Sequence, residues 1–228
     1  MDTSRTEIIT GADGVAKLSA AEVYIFGAGG VGGYALEAVA RAGIGSIKLF
    51  DFDTVSTSNV NRQLLATNST IGIAKTRAAA VRIMDINPDC RLQTFEEKLA
   101  AENILSLADE NIKYAIDAID DIPAKVQLIR ILKSQGACFV SSMGAGMRTD
   151  PTKTLIGDIS ETRVCPLARR IRKELKAAGI ERGVPCVFSV EQPATRRSDS
   201  NGVGSVSYMP GIFGLFAAGF IIQNILRN

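Results

Sequence analysis

Up to about residue 150, short apolar runs rich in β-branched residues alternate with stretches whose apolar positions recur every three or four residues. "EVYIF" predicts a first strand, "VGGYALEAVARAG" a helix closed by Gly43, and "SIKLFDFD" a second strand. The alternation continues with "AKTRAAAVRIMDI" as helix, "CRLQTFEEKL" and "YAIDAID" as strands, "IPAKVQLIRILKSQG" as helix and "ACFVSSMG" as strand. Such a sequence of elements predicts an α/β fold: a Rossmann-like, mostly parallel sheet with helices on both faces and ligands beyond the carboxyl ends of its strands. After Pro151 the texture changes. "TLIGDIS" and "VPCVFSVE" read as C-terminal strands flanking the basic helix "PLARRIRKELKAAG", and "QPATRRSDSNGVGS" reads as a turn-rich, mobile segment. The apolar run "IFGLFAAGFII" falls well short of the roughly 20 residues of a membrane span and is expected to be a buried C-terminal helix.

Composition narrows the chemistry. A chain of 228 residues, 46% hydrophobic and 22% charged, is long enough for one substantial core. The expected organisation is therefore a single domain, with an N-terminal arm over residues 1–20, a nucleotide-binding core over 21–150 and a substrate- and dimer-related part over 151–228. There is no histidine, which excludes every triad, proton shuttle and metal site built on imidazole. The four cysteines, Cys90, Cys138, Cys165 and Cys186, form no Cys-x-x-Cys pair, so no zinc site is expected. They read as reduced thiols. With a polar N-terminus and no secretory segment, a cytoplasmic protein is expected.

The glycine loop Gly27-Ala28-Gly29-Gly30-Val31-Gly32 follows a strand and opens a helix, a context in which backbone N–H groups and the helix terminus can approach phosphate. Asp51 ends the second strand 19 residues after Gly32, where a carboxylate can accept ribose hydroxyls. The segment "SNVNRQ" then places Asn59, Asn61, Arg62 and Gln63 where the second half of a dinucleotide would lie. These groups suit a polyphosphate. Lys75 stands in the first turn of a predicted helix, against the helix dipole, a cost that a bound phosphate would offset. "YAIDAIDD" ends a strand with Asp117, Asp120 and Asp121, and the aspartate at the strand end can hold magnesium against the phosphates. Together these features describe an ATP site.

"GAGGVGG", "DFDTVSTSNVNRQ", "IGIAKTRAAA" and "DAIDD" resemble, in order, the motifs of the ThiF/MoeB/HesA family, the adenylyltransferases related to ubiquitin-activating enzymes. The resemblance implies activation of a carboxylate by attack on the α-phosphate of ATP, giving an acyl adenylate and pyrophosphate. It also implies that Gly27, Gly29, Gly30, Gly32, Asn59 and Asn61 contribute to the nucleotide site, that Asp51 binds ribose, that Arg62 and Lys75 hold the triphosphate, and that Asp120 coordinates magnesium. Arg5, in "SRTEII", matches an arginine that the family sends into the partner subunit's site, which implies a homodimer. Family members that serve ubiquitin-like sulfur carriers usually bear paired Cys-x-x-Cys zinc motifs, absent from this sequence. Residues 157–193 and 204–222 instead resemble the branch that dehydrates threonylcarbamoyladenosine in tRNA; whether a sulfur-relay protein is a further partner stays open from the sequence. Cys165 departs from that branch, standing where its "DPLA" pattern has an acidic residue.

Charge supports an RNA partner independently. Between Glu161 and Arg197 nine Lys or Arg stand against four Glu, in a chain whose net charge is +2. That patch, with Arg169, Arg170, Arg172 and Lys173 at its centre, is the footprint expected for a phosphate backbone, and equally for a solvated helix face. Two other readings stay open from the sequence. One is an adenylyltransferase that activates the C-terminus of a ubiquitin-like or sulfur-carrier protein, with Cys165 or Cys186 as acceptor thiol. The other is a nicotinamide oxidoreductase or non-catalytic nucleotide sensor, which leaves Arg62, Lys75 and Asp120 unexplained.

Overall fold

In the computed structural model, which describes residues 1–107, 111–195 and 202–228, seven strands form one sheet in the order β3-β2-β1-β4-β5-β7-β6. The strands are β1 (Glu22–Phe26), β2 (Ser46–Phe50), β3 (Arg91–Phe95), β4 (Tyr114–Asp117), β5 (Cys138–Ser142), β6 (Thr154–Asp158) and β7 (Pro185–Ser189). All neighbouring pairs are parallel except β6 with β7. Strand order reverses between β1 and β4, so the loops after these two strands diverge and leave a crevice at the carboxyl edge.

Alternation along β1 shows how the sheet is buried on both faces. Val23 and Ile25 point to one core, shared with α1 (Ser4–Ala20), α2 (Gly32–Arg41), α3 (Lys75–Ile86) and α7 (Met209–Arg227). Tyr24 and Phe26 point to the other, shared with α4 (Ile104–Leu107), α5 (Ile122–Ser134) and α6 (Pro166–Ala177). On that second face Phe26, Phe50 and Phe95 stack from strand to strand, with ring centroids 4.9 and 4.4 Å apart. Phe26 and Phe50 are fully buried and contribute about 1.5–3 kcal/mol each, with the partly buried Phe95 closing the stack at the β3 edge.

Several elements differ from the sequence expectation. The N-terminal arm is a helix, broken at Gly11, whose φ of 71° interrupts the turn. The strands predicted as "SIKLFDFD" and "YAIDAID" stop at Phe50 and Asp117, and the residues beyond them run into the loops that build the crevice. The C-terminal helix outgrows its apolar run: at 19 residues and a mean hydropathy of 1.6 it is long and apolar enough to cross a membrane by length and composition. It is a core helix nonetheless. Phe213, Ala217, Ala218 and Ile221 are fully buried, and Gly214 lies so close to α2 that a Cβ there would sit 2.3 Å from the Val31 carbonyl oxygen. Residues 196–201, the centre of the segment read as mobile, and with them Arg196 and Arg197, lie outside the described residues.

Candidate active site

The carboxyl ends of β1, β2, β4 and β5 open onto a cavity of about 700 Å³. Gly27 begins the loop after β1, with its N–H donating to the Phe50 carbonyl at 2.7 Å and a φ of 94°. A Cβ at Gly27 would lie 2.9 Å from the Ala118 carbonyl oxygen, so glycine lets the loops after β1 and β4 touch. Gly29 and Gly30 line the cavity, and α2 starts just beyond without a side-chain cap. The Gly33 N–H is taken by the Gly29 carbonyl at 2.9 Å, and the remaining first-turn N–H groups have no side-chain cap, which leaves an anion-ready terminus. Gly32 does not line the cavity. A Cβ there would overlap the Gly27 carbonyl oxygen at 1.7 Å, so it is a packing glycine, not one that clears a path for phosphate.

Asp51 is tied to that loop. One carboxylate oxygen accepts from the Ala28 N–H at 2.7 Å and the other from the Asp53 N–H at 2.9 Å. Each oxygen keeps a further lone pair, so ribose hydroxyls can still be accepted. Burial pushes its pKa above the ordinary 3.8, against the Ala28 N–H and the Lys75 ammonium, which pull it down. Lys75 opens α3 and is buried, with Nζ 2.6 Å from the Asp53 carboxylate and 3.8 Å from Asp51. Its misplacement at a helix N-terminus is therefore offset by carboxylates of the protein itself, which replaces the bound phosphate that the sequence suggested as the reason. Asp53, quoted within the "DFD" motif but given no role, is the partner that sequence reading missed.

The short 3-10 turn Thr57–Asn59 carries the polar segment past the cavity rim. Asn59, Arg62 and Gln63 line the cavity. Arg62 is braced by the Ser58 carbonyl at 2.7 Å and by the Asn61 side chain at 3.0 Å. Asn61 itself does not line the cavity; its amide donates to the Ser205 carbonyl at 3.2 Å, so it links this segment to the chain leading into α7. Gln63 Oε1 is buried without a hydrogen-bond partner, an acceptor left over at the cavity wall.

The three aspartates after β4 do different work. Asp117 is fully buried and paired with Lys125 at 2.9 Å. Asp121 caps α5, accepting from the Ala124 N–H at 2.9 Å. Asp120 is exposed and lines the cavity.

The far wall, which the sequence did not single out, consists of Ser142 to Gly146 with Leu167, Val203, Ser205 and Pro210. The signal was present in "SSMGAG": glycines directly after a strand end. Leu167 belongs to the first turn of α6, so the basic helix begins at the cavity. Arg169, Arg170 and Lys173 are exposed on it. Arg172 is not available in the same way, because its guanidinium donates to the Thr162 carbonyl at 2.7 Å and to the Thr162 hydroxyl. Cys165 caps α6 through its sulfur and is buried; Cys186 is fully buried, and burial pushes its thiol pKa far up. Arg5 lies exposed in the first turn of α1, away from the cavity of its own chain.

The ThiF family model matches residues 3–228. The tRNA threonylcarbamoyladenosine dehydratase of Bacillus subtilis (strain 168) is 37% identical over 240 residues, which span 99% of this chain and 94% of that protein. The E. coli tRNA N6-threonylcarbamoyladenosine dehydratase, solved with AMP, has the same fold with a TM-score of 0.91 and 33% identity, over 98% of this chain and 93% of that one. Solved with ATP, it gives a TM-score of 0.88 at 32% identity with the same coverage.

Proposed function

The chain belongs to the ThiF family, and from that premise we propose that it is an ATP-dependent tRNA threonylcarbamoyladenosine dehydratase. The observation that carries this reading is the extent of the likeness. It runs through 99% of the chain, including residues 151–228, where the branches of the family differ. In the proposed reaction the threonylcarbamoyl carboxylate attacks the α-phosphate of ATP, forming an acyl adenylate and expelling pyrophosphate. A nitrogen or oxygen of the same side chain then attacks the acyl carbon and expels AMP, so the nucleoside loses one water. Holding both groups in one cavity makes the second step nearly unimolecular, and no histidine or external nucleophile is required.

Gly29, Gly30 and the start of α2 would take the phosphates, Asp51 the ribose, and Arg62 and Lys75 the charge that develops at the α-phosphate. The residues present fit magnesium. Among the described residues no group of three metal-binding side chains occurs, but magnesium takes only one or two carboxylates beside substrate phosphates, and Asp120 offers one. Bound there, the ion would neutralise phosphate charge. Arg169, Arg170 and Lys173, on a helix that starts at the cavity wall, would carry the tRNA backbone. Arg5 would complete the neighbouring subunit's site in a homodimer.

Incubation with ATP, magnesium and tRNA bearing threonylcarbamoyladenosine should yield a nucleoside lighter by one water, with AMP in equal amount, by mass spectrometry. Lys75→Ala and Asp120→Ala should abolish both products, whereas Cys165→Ala and Cys186→Ala should keep them, since direct cyclisation needs no thioester. Loss of AMP release in Cys165→Ala with ATP binding intact, or adenylation of a small protein's C-terminus instead of the nucleoside, would favour the sulfur-carrier adenylyltransferase.

A further inference from the structure

Lys125 has no place in the chemistry just described, yet it is a fully buried lysine beside the site. Its ammonium has three oxygen partners, and all of them lie in the turn that leads to Asp120: the Asp117 carboxylate at 2.9 Å, the Ile119 carbonyl at 2.9 Å and the Asp117 carbonyl at 3.5 Å. The same carboxylate accepts from the Ile119 N–H at 3.1 Å and, through its second oxygen, from the Ser141 hydroxyl at 2.7 Å. Ala118, in the middle of this turn, donates its N–H to the Phe26 carbonyl at 2.8 Å and presses its own carbonyl against Gly27. A buried ion pair is weak evidence of stabilisation in itself, because desolvation offsets most of the Coulomb gain. What this pair does in geometry is satisfy the carbonyls of a turn that has left the β-ladder, and so fix its path from both β4 and α5.

We infer that Lys125 is a positioning residue: through Asp117 and the Ile119 carbonyl it holds Asp120 where a divalent cation on the ATP phosphates needs it, without touching substrate. The inference rests on the nucleotide site proposed above and deepens it. Partners one shell away from a metal ligand typically tune metal affinity or activity by about 10–100-fold.

ATP affinity measured by calorimetry with magnesium and again with EDTA tests it in the full-length protein, without tRNA. Wild type should bind ATP more tightly with magnesium. In EDTA, Lys125→Met should match wild type within about twofold, since the glycine loop, Arg62 and Lys75 are untouched. With magnesium it should lose at least about tenfold of the tightening. Lys125→Arg, which restores a buried cation with several donors, should recover part of it. Should Lys125→Met fail to fold, Ser141→Ala decides, because it keeps the ion pair and removes only the hydroxyl that steers the Asp117 carboxylate. Its magnesium response should be reduced. The inference is overturned by a wild-type magnesium response in folded Lys125→Met or, where that protein does not fold, in Ser141→Ala. Equal weakening with and without magnesium, or a wild type indifferent to magnesium, overturns it too. If wild type binds magnesium-ATP and the variant behaves as expected but no tRNA is dehydrated, the positioning role stands and the proposed function falls.

Discussion

Gly29 and Gly32 stand three residues apart in one loop and serve different ends. The nearest atom to a Cβ at Gly29 is Gln63 Nε2 at 3.9 Å, across the cavity wall, so a methyl group fits there and obstructs only a ligand. At Gly32 the same methyl group meets backbone at 1.7 Å. Gly29→Ala should therefore keep its melting temperature while binding ATP at least about tenfold more weakly, and Gly32→Ala should lose about 2–3 kcal/mol of stability in denaturant titration. A Gly29→Ala protein that binds ATP like wild type would take Gly29 out of the phosphate site. A sequence does not separate the two glycines, since both satisfy one spacing pattern and differ only in what a distant backbone segment places over them. The same limit explains Lys75, Asn61 and Arg172. The sequence shows a cation at a helix start, an amide beside Arg62 and a basic stripe. The partners that decide their roles, Asp53, the Ser205 carbonyl and Thr162, are contributed by chain segments folding back. Gly27, Asp51 and Asp120 could be placed at the cavity from the sequence because each follows the end of a strand that the apolar pattern already located, whereas Arg62 was marked only by the polar motif around it.

Among the elements, α2 and α3 both begin at the cavity, and a single carboxylate clasps them. Glu37 of α2 accepts from Arg82 of α3 through both oxygens, at 2.6 and 3.0 Å, and from Arg41 on its own helix at 2.7 Å. Burial raises the Glu37 pKa, but the hydrogen bonds from Arg82 and Arg41 outweigh it and hold the group below the ordinary 4.5. A carboxyl group lowered in the folded state contributes stability above its unfolded value that is lost as pH falls through the folded value. Glu37→Gln should thus cost about 1 kcal/mol near neutrality. The difference from wild type should close as the pH drops below 4.5, and a gap constant across that range would show that the charge is not the source. Most elements were legible from periodicity; α1 was not, since Gly11 breaks its pattern and its exposed face carries Ile8 and Ile9. The short β2 and β4 were overestimated for a related reason: the motif residues continue the strand-like pattern, although Asp51 has turned its carboxylate onto the Ala28 and Asp53 N–H groups and the turn after Asp117 is held by the Lys125 ammonium.

At the scale of the whole molecule, the nucleotide-facing edge joins both ends of the described chain only in part: α7 reaches it, and Arg5 does not. If Arg5 serves the neighbouring subunit, inactive Arg5→Ala and Lys75→Ala proteins should regain about a quarter of wild-type activity when mixed and allowed to exchange, because half of the dimers are then hybrids with one intact site each. Confirmed exchange without recovered activity would place Arg5 outside the reaction. The contribution of α7 is nearer at hand. Pro210 stands 2.9 Å from where a Cβ of Gly30 would be, and Gly214 rests on the Val31 carbonyl, so the glycine loop made early in the chain is backed by residues made more than 170 positions later. During synthesis at about 5–20 residues per second, the glycine loop and β2 leave the ribosome many seconds before that backing does. On the proposed reading, a nascent chain thus carries the glycine loop and Asp51 of an ATP site well before α7 backs them, and ATP binding is expected only after α7 has docked.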